Sequence, residues 1–118
     1  MKIEVVIQLL QAQVACGEDL LEQEVYAACG SDMMSDVLAF VKDQAVLLTG
    51  LVNEQVIRTA AMMDMKCIVF VRNKRPSPDM IELAAQNGMV VLFSSLRMFE
   101  ACGMLYCHGI NPENQSYV

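Results

Sequence analysis

Cys67-Ile68-Val69-Phe70-Val71-Arg72-Asn73-Lys74-Arg75: five apolar residues in a row stop abruptly at four polar ones. The run is too short for a helix, rich in β-branched and bulky residues, and lacks the polar alternation of a half-wet strand. It reads as a strand buried on both faces. Working outward, Ala45-Val46-Leu47-Leu48 and Met89-Val90-Val91-Leu92-Phe93 have the same character, and helix-spaced stretches separate the three. Buried strands alternating with helices are parallel and covered on both sides. The spacing thus predicts a three-layer α/β fold, a mostly parallel sheet of about five strands with helices on both faces. Sheets of this kind bind ligands beyond the carboxyl ends of their strands. All three ends are polar here: Thr49-Gly50, Arg72 to Arg75, and Ser94-Ser95.

Before Ala45, Ile3, Val6, Ile7 and Leu10 recur at helical spacing and predict a helix over 2–10. Val14-Ala15-Cys16 and Val25 to Cys29 read as two further strands, the second closed by Gly30. Ser31 or Asp32 then caps a helix with Met33, Val37, Leu38 and Val41 on its apolar side, and Lys42-Asp43-Gln44 connects it to the first buried strand. Asn53 is read as the cap of a helix running to Met63. Ser77-Pro78 opens another that ends at Asn87-Gly88, and Ser95 starts the last, with Leu96, Phe99, Met104 and Leu105 apolar. Ten methionines and no tryptophan predict a soft core, in which Met62, Met63, Met65, Met80, Met89, Met98 and Met104 face the sheet.

The 118 residues suffice for one domain, read as residues 1–110 with a polar C-terminal tail over 111–118. An apolar fraction of 55% against 19% charged residues excludes a disordered chain. No run approaches the ~20 apolar residues of a membrane span, and Glu4 interrupts any leader-like opening. A cytoplasmic location is expected, and five cysteines without framework spacing fit a reducing compartment. Residues 1–57 carry Lys2 and Lys42 against nine acids, a net of −7, whereas residues 58–118 carry six bases against five acids, a net of +1. The overall −6 argues against nucleic acid, whose phosphates demand a basic face.

Gly50, following a buried strand and preceding a helix, permits close approach of a ligand to the backbone, or simply makes a turn. No Gly-Lys-Ser/Thr ending or triple-glycine fingerprint accompanies it. Arg72, Asn73 and Lys74 read either as a solvated loop or as a site for one phosphate group. Asn53, Ser94 and Ser95 complete the same rim. Cys102 and Cys107-His108 have the residue types of metal ligands, but no second pair lies elsewhere at ligand spacing. The one histidine reads as exposed or capping, and neither serine has a base beside it. No catalytic constellation emerges.

The succession Val46-Leu47-Leu48-Thr49-Gly50, Asn53, Arg58-Thr59-Ala60, Ile68 to Val71, Lys74-Arg75-Pro76, Gly88 to Leu92 and Phe99-Glu100-Ala101 resembles the DRTGG domain. That domain occurs inserted in phosphotransacetylases and some pyrophosphatases, and alone in small bacterial proteins. Ala15-Cys16-Gly17 and Ser31 to Leu38 are similar to the family's opening, and to that of the N-terminal domain of HPr kinase/phosphorylase. The likeness spans residues 2–109, although the namesake Asp-Arg and Thr-Gly-Gly elements are absent, and Thr49-Gly50 and Arg72-Asn73 stand at the corresponding corners. It implies a regulatory or ligand-sensing module, homodimeric and without catalysis or cofactor of its own. The expected ligand is a small anion such as a nucleotide, lying across Thr49, Gly50, Asn53, Arg72, Asn73, Lys74, Ser94 and Ser95. Two other readings stay open: a homodimerising docking module for a larger metabolic enzyme with no small-molecule ligand, and a redox or metal protein using Cys102 and Cys107.

Overall fold

The computed structural model describes residues 1–40 and 45–110. Two expectations, the connector Lys42 to Gln44 with Val41 before it and the tail over 111–118, lie outside the described residues. The elements follow in the order α1 (Ile3–Leu10), β1 (Gln13–Cys16), β2 (Ala27–Gly30), α2 (Met34–Phe40), β3 (Ala45–Thr49), α3 (Glu54–Met62), β4 (Cys67–Phe70), α4 (Pro78–Gln86), β5 (Val90–Phe93) and α5 (Met98–Cys107). The five strands form one sheet in the order β1-β5-β4-β3-β2. β2, β3, β4 and β5 are parallel, and β1 closes the β5 edge in the antiparallel sense. The expected three-layer, mostly parallel architecture is the one observed.

Side chains of β3 and β4 are buried throughout, as are those of β5 apart from the partly buried Phe93, and alternate residues face two separate cores. Ala45, Leu47, Ile68, Phe70 and Val91 pack beneath α2, α3 and α4, against Val37, Val56, Ile57, Ala60, Met80 and Ala84. Val46, Leu48, Val69, Val90 and Leu92 face α1 and α5 through Ile3, Val6, Leu10, Ala101 and Leu105. Fully burying such a side chain contributes about 1.5–3 kcal/mol, so the two cores that sandwich the sheet together stabilise the fold. Gly17 ends β1 with φ +90°, and a side chain there would meet the Met89 carbonyl at 2.9 Å. That close approach requires glycine and seats β1 on β5.

Several expectations about faces and caps need correction. The last helix begins at Met98 with Arg97 as its cap, and Glu100 accepts the Arg97 N–H at 3.4 Å; Ser95 lies in the preceding loop. Shifting the start moves the inward positions to Met98, Ala101, Cys102 and Leu105, one helical face. Phe99 therefore points outward and is 85% exposed. Met62 closes α3 on its solvent side, and α2 buries Met34 and Val37 while Met33 and Leu38 are exposed. Met65, Met80 and Met89 are core residues as expected. The second strand starts at Ala27 rather than Val25 and includes Gly30; Val25 is held by its N–H to the Met1 carbonyl and buried in the α1 core.

Candidate functional site

The carboxyl ends of β3, β4 and β5 lie side by side. Thr49 pairs with Phe70 and Phe70 with Phe93, and the ladder runs one step further through Val71 N–H to Thr49 O (3.0 Å) and Ser94 N–H to Phe70 O (2.9 Å). Residues 49, 72 and 94 accordingly occupy one rim. Their side chains do not all meet in shared solvent, however. Thr49 is fully buried and Ser94 is 2% exposed. The Ser94 hydroxyl donates to the Leu10 carbonyl at 2.6 Å and accepts the Leu96 N–H at 3.1 Å. It ties the rim loop to the end of α1, a consequence of a chain crossing that local sequence does not announce.

The basic loop after β4 turns within two residues. Arg72 (φ 59°) and Asn73 (φ 57°) are both left-handed, and the Lys74 N–H returns to Val71 O at 3.2 Å. Positive φ at both central positions is the type I′ signature. Asn tolerates it; for Arg it costs on the order of 1 kcal/mol, held here by tertiary bonds. Those bonds run to the neighbouring loop: Arg72 N–H to Leu96 O at 2.8 Å and Asn73 N–H to Ser94 O at 2.7 Å. Lys74 is exposed, and Arg75 lies over the Phe93 ring, 4.9 Å from its centroid.

Asp32 joins these parts, although by sequence it reads only as a helix cap. From the connection between β2 and α2, its Oδ1 accepts the Gly50 N–H at 2.7 Å and the Thr49 hydroxyl at 3.1 Å. Its Oδ2 stands 3.9 Å from Arg72 Nη2, with both side chains about half exposed. Thr49 Oγ1 in turn accepts the Leu51 N–H at 3.1 Å. Gly50 completes the arrangement by what it lacks: a Cβ there would collide with the Arg72 guanidinium. Asn53 caps α3 by accepting the Val56 N–H at 3.1 Å, and Ser77 caps α4 through Met80 at 3.3 Å. Ser95 is exposed at the rim's far side. An amide N–H, a hydroxyl, a guanidinium and an exposed ammonium are donors suited to phosphate or carboxylate oxygens.

The DRTGG domain profile matches residues 5–108. The chain belongs to the DRTGG domain family. No curated protein matches it. Among solved structures, this DRTGG domain is similar to the CBS and DRTGG domains of the regulatory region of Clostridium perfringens pyrophosphatase, complexed with its activator diadenosine tetraphosphate. The TM-score is 0.73 at 16% identity, over 88% of this chain but only 45% of that one, a likeness of fold.

The cysteine candidates part company in the fold. Cys102 is half-buried with its thiol 3.7 Å from Met98 Sδ, while Cys107 is exposed. His108 caps α5, and its Nδ1 lies 2.7 Å from the Met104 carbonyl, which can only accept, so that nitrogen carries the proton. Burial pushes the Cys16, Cys29, Cys67 and Cys102 thiols above their ordinary range, away from the thiolate that metals and electrophiles require. Among the described residues, no three His, Cys, Asp or Glu side chains gather where an ion could be held. No described helix is long and apolar enough to cross a membrane.

Proposed function

We propose that this DRTGG domain is a regulatory, ligand-sensing module, not an enzyme, that binds a small anionic ligand of the nucleotide class at the carboxyl rim of its sheet. The observation carrying this reading is Arg72, held in left-handed backbone by loop-to-loop bonds so that its guanidinium lies over Gly50. Strain of this kind is retained where the surrounding fold over-determines it, and it gathers at ligand sites. Lys74 and Asn73, the exposed Ser95 and the N-terminal turn of α3 after Asn53 extend the donor surface. The nucleotide activator in the pyrophosphatase regulatory region supports the ligand class.

The test is a thermal-shift screen of nucleotides and phosphorylated metabolites. A ligand at a hundred times its Kd stabilises by about 2.7 kcal/mol. With about 2.1 cal/mol/K of unfolding entropy per residue, that raises Tm by about 10 °C. The joint Arg72→Ala, Lys74→Ala variant should lose most of the shift. Silence across the whole panel at millimolar concentration would refute the reading.

One observation favours a second reading, self-association or docking on a larger enzyme. Phe99 stands exposed at a groove of about 510 Å³ between α1 and α5, beside Leu9, Leu96 and Met104. A strictly monomeric species in light scattering at micromolar concentration would remove the homodimer.

A further inference from the structure

The anion donors of the rim are already engaged by a carboxylate of the chain itself. Asp32 Oδ1 takes both the Gly50 N–H and the Thr49 hydroxyl, and Oδ2 faces Arg72. Two features set this apart from a buried structural carboxylate. The Asp32 side chain is about half exposed, and its approach to Arg72 is loose at 3.9 Å. The turn behind it is held independently, by Ser31 N–H to Leu48 O at 3.0 Å and Met33 N–H to Ser31 Oγ at 3.0 Å. Rotation of one side chain therefore vacates the donors while β2, α2 and the backbone stay in place.

We infer that Asp32 is an internal competitor for the anion site and thereby sets its ligand specificity. This rests on the reading of the rim as an anion site. A ligand carboxylate gains little, because it only exchanges one carboxylate for another on the same donors. A phosphoryl group brings about −1.5 to −2 of charge and three acceptor oxygens, enough to outbid the aspartate for Gly50 and Arg72. Asp32 thus excludes carboxylate metabolites and admits phosphoryl ligands. Its negative charge also holds wild-type affinity below what the donors alone would give.

The experiment is calorimetric titration of the whole chain with two plain probes, inorganic pyrophosphate and malonate. The proteins are wild type, Asp32→Asn, Asp32→Ala and, as a charge control, Asp36→Asn on the exposed face of α2. Asp32→Asn keeps an oxygen for Gly50 and Thr49, so the fold is preserved, and melting curves verify this for each variant. Asp32→Ala should bind pyrophosphate about tenfold more tightly, the change that ~1.4 kcal/mol of relieved competition produces. Asp32→Asn should gain less, and Asp36→Asn should stay near wild type. Malonate should bind Asp32→Ala and not wild type. Adding Arg72→Ala to Asp32→Ala should abolish the gain.

The inference is overturned if both Asp32 variants bind pyrophosphate no better than wild type, if Asp36→Asn gains as much, or if no form binds pyrophosphate. The two levels separate cleanly. When nucleotides stabilise wild type but the Asp32 variants gain nothing, only the competitor role falls. When neither nucleotides nor pyrophosphate bind any form, the anion site falls with it.

Discussion

Replacing Ser94 by Ala should damage the fold, not the ligand chemistry. The hydroxyl bridges residues 84 positions apart by donating to the Leu10 carbonyl at 2.6 Å, and it also accepts the Leu96 N–H at 3.1 Å. Leu10 is the last residue of α1, where carbonyls lack intrahelical partners and must find others. Alanine removes two hydrogen bonds of about 1 kcal/mol each and leaves a buried carbonyl orphaned, at a cost of about 1–3 kcal/mol. These overlap, so the expected loss is about 2–3 kcal/mol. An unfolding entropy of about 2.1 cal/mol/K per residue translates that into a Tm lower by about 8–12 °C. Urea titration should show the midpoint fall at unchanged slope. At temperatures where both proteins are folded, anion affinity should match wild type. A loss below about 0.5 kcal/mol, within the range of ordinary surface substitutions, would refute this accounting. So would a stable variant that no longer binds, which would return Ser94 to the ligand.

Gly50→Ala should displace the Arg72 guanidinium at little cost in stability, under about 1 kcal/mol, because the Arg72–Asp32 contact is long and half exposed. Anion binding should weaken nonetheless, and chemical denaturation showing a loss above about 2 kcal/mol would mean the glycine serves the backbone instead. Alkaline stability should fall through Cys67. Burial raises its thiol in the native state, so the folded chain keeps a proton that the unfolded chain releases. The contribution is complete below the unfolded thiol's value of about 8.5 and is lost as pH rises beyond it, by up to about 1.4 kcal/mol per pH unit. Cys67→Ala should flatten the curve between about pH 9 and 10, with Cys16, Cys29 and Cys102 sustaining a residual slope. Identical slopes would contradict it.

The layered architecture was legible from one-dimensional pattern. Unbroken apolar runs such as Cys67 to Val71 have no solvent face, so they must pair inside a covered parallel sheet, and the sheet's connectivity puts their polar ends on one rim. Asn53, Ser77 and Gly88 were equally readable, since capping and left-handed stops depend on neighbours within a few residues. Phe99 and Met62 point to solvent because packing on the sheet selects Ala101 and Leu105 as the inward stripe of α5 and Val56, Ile57 and Ala60 as that of α3, and apolar character alone does not tell which side of a helix is covered.

What only the tertiary structure decided is which polar group meets which. Asp32 finds Gly50 across 18 residues, and Ser94 finds Leu10 across 84. Those pairings are set by where strands and loops land after the core has packed. Hydrogen bonds act over about 3 Å, so no local spacing encodes them. Hydrophobic burial, being non-directional and cumulative along a strand, leaves its pattern in the sequence, whereas a directed bond between distant loops leaves none.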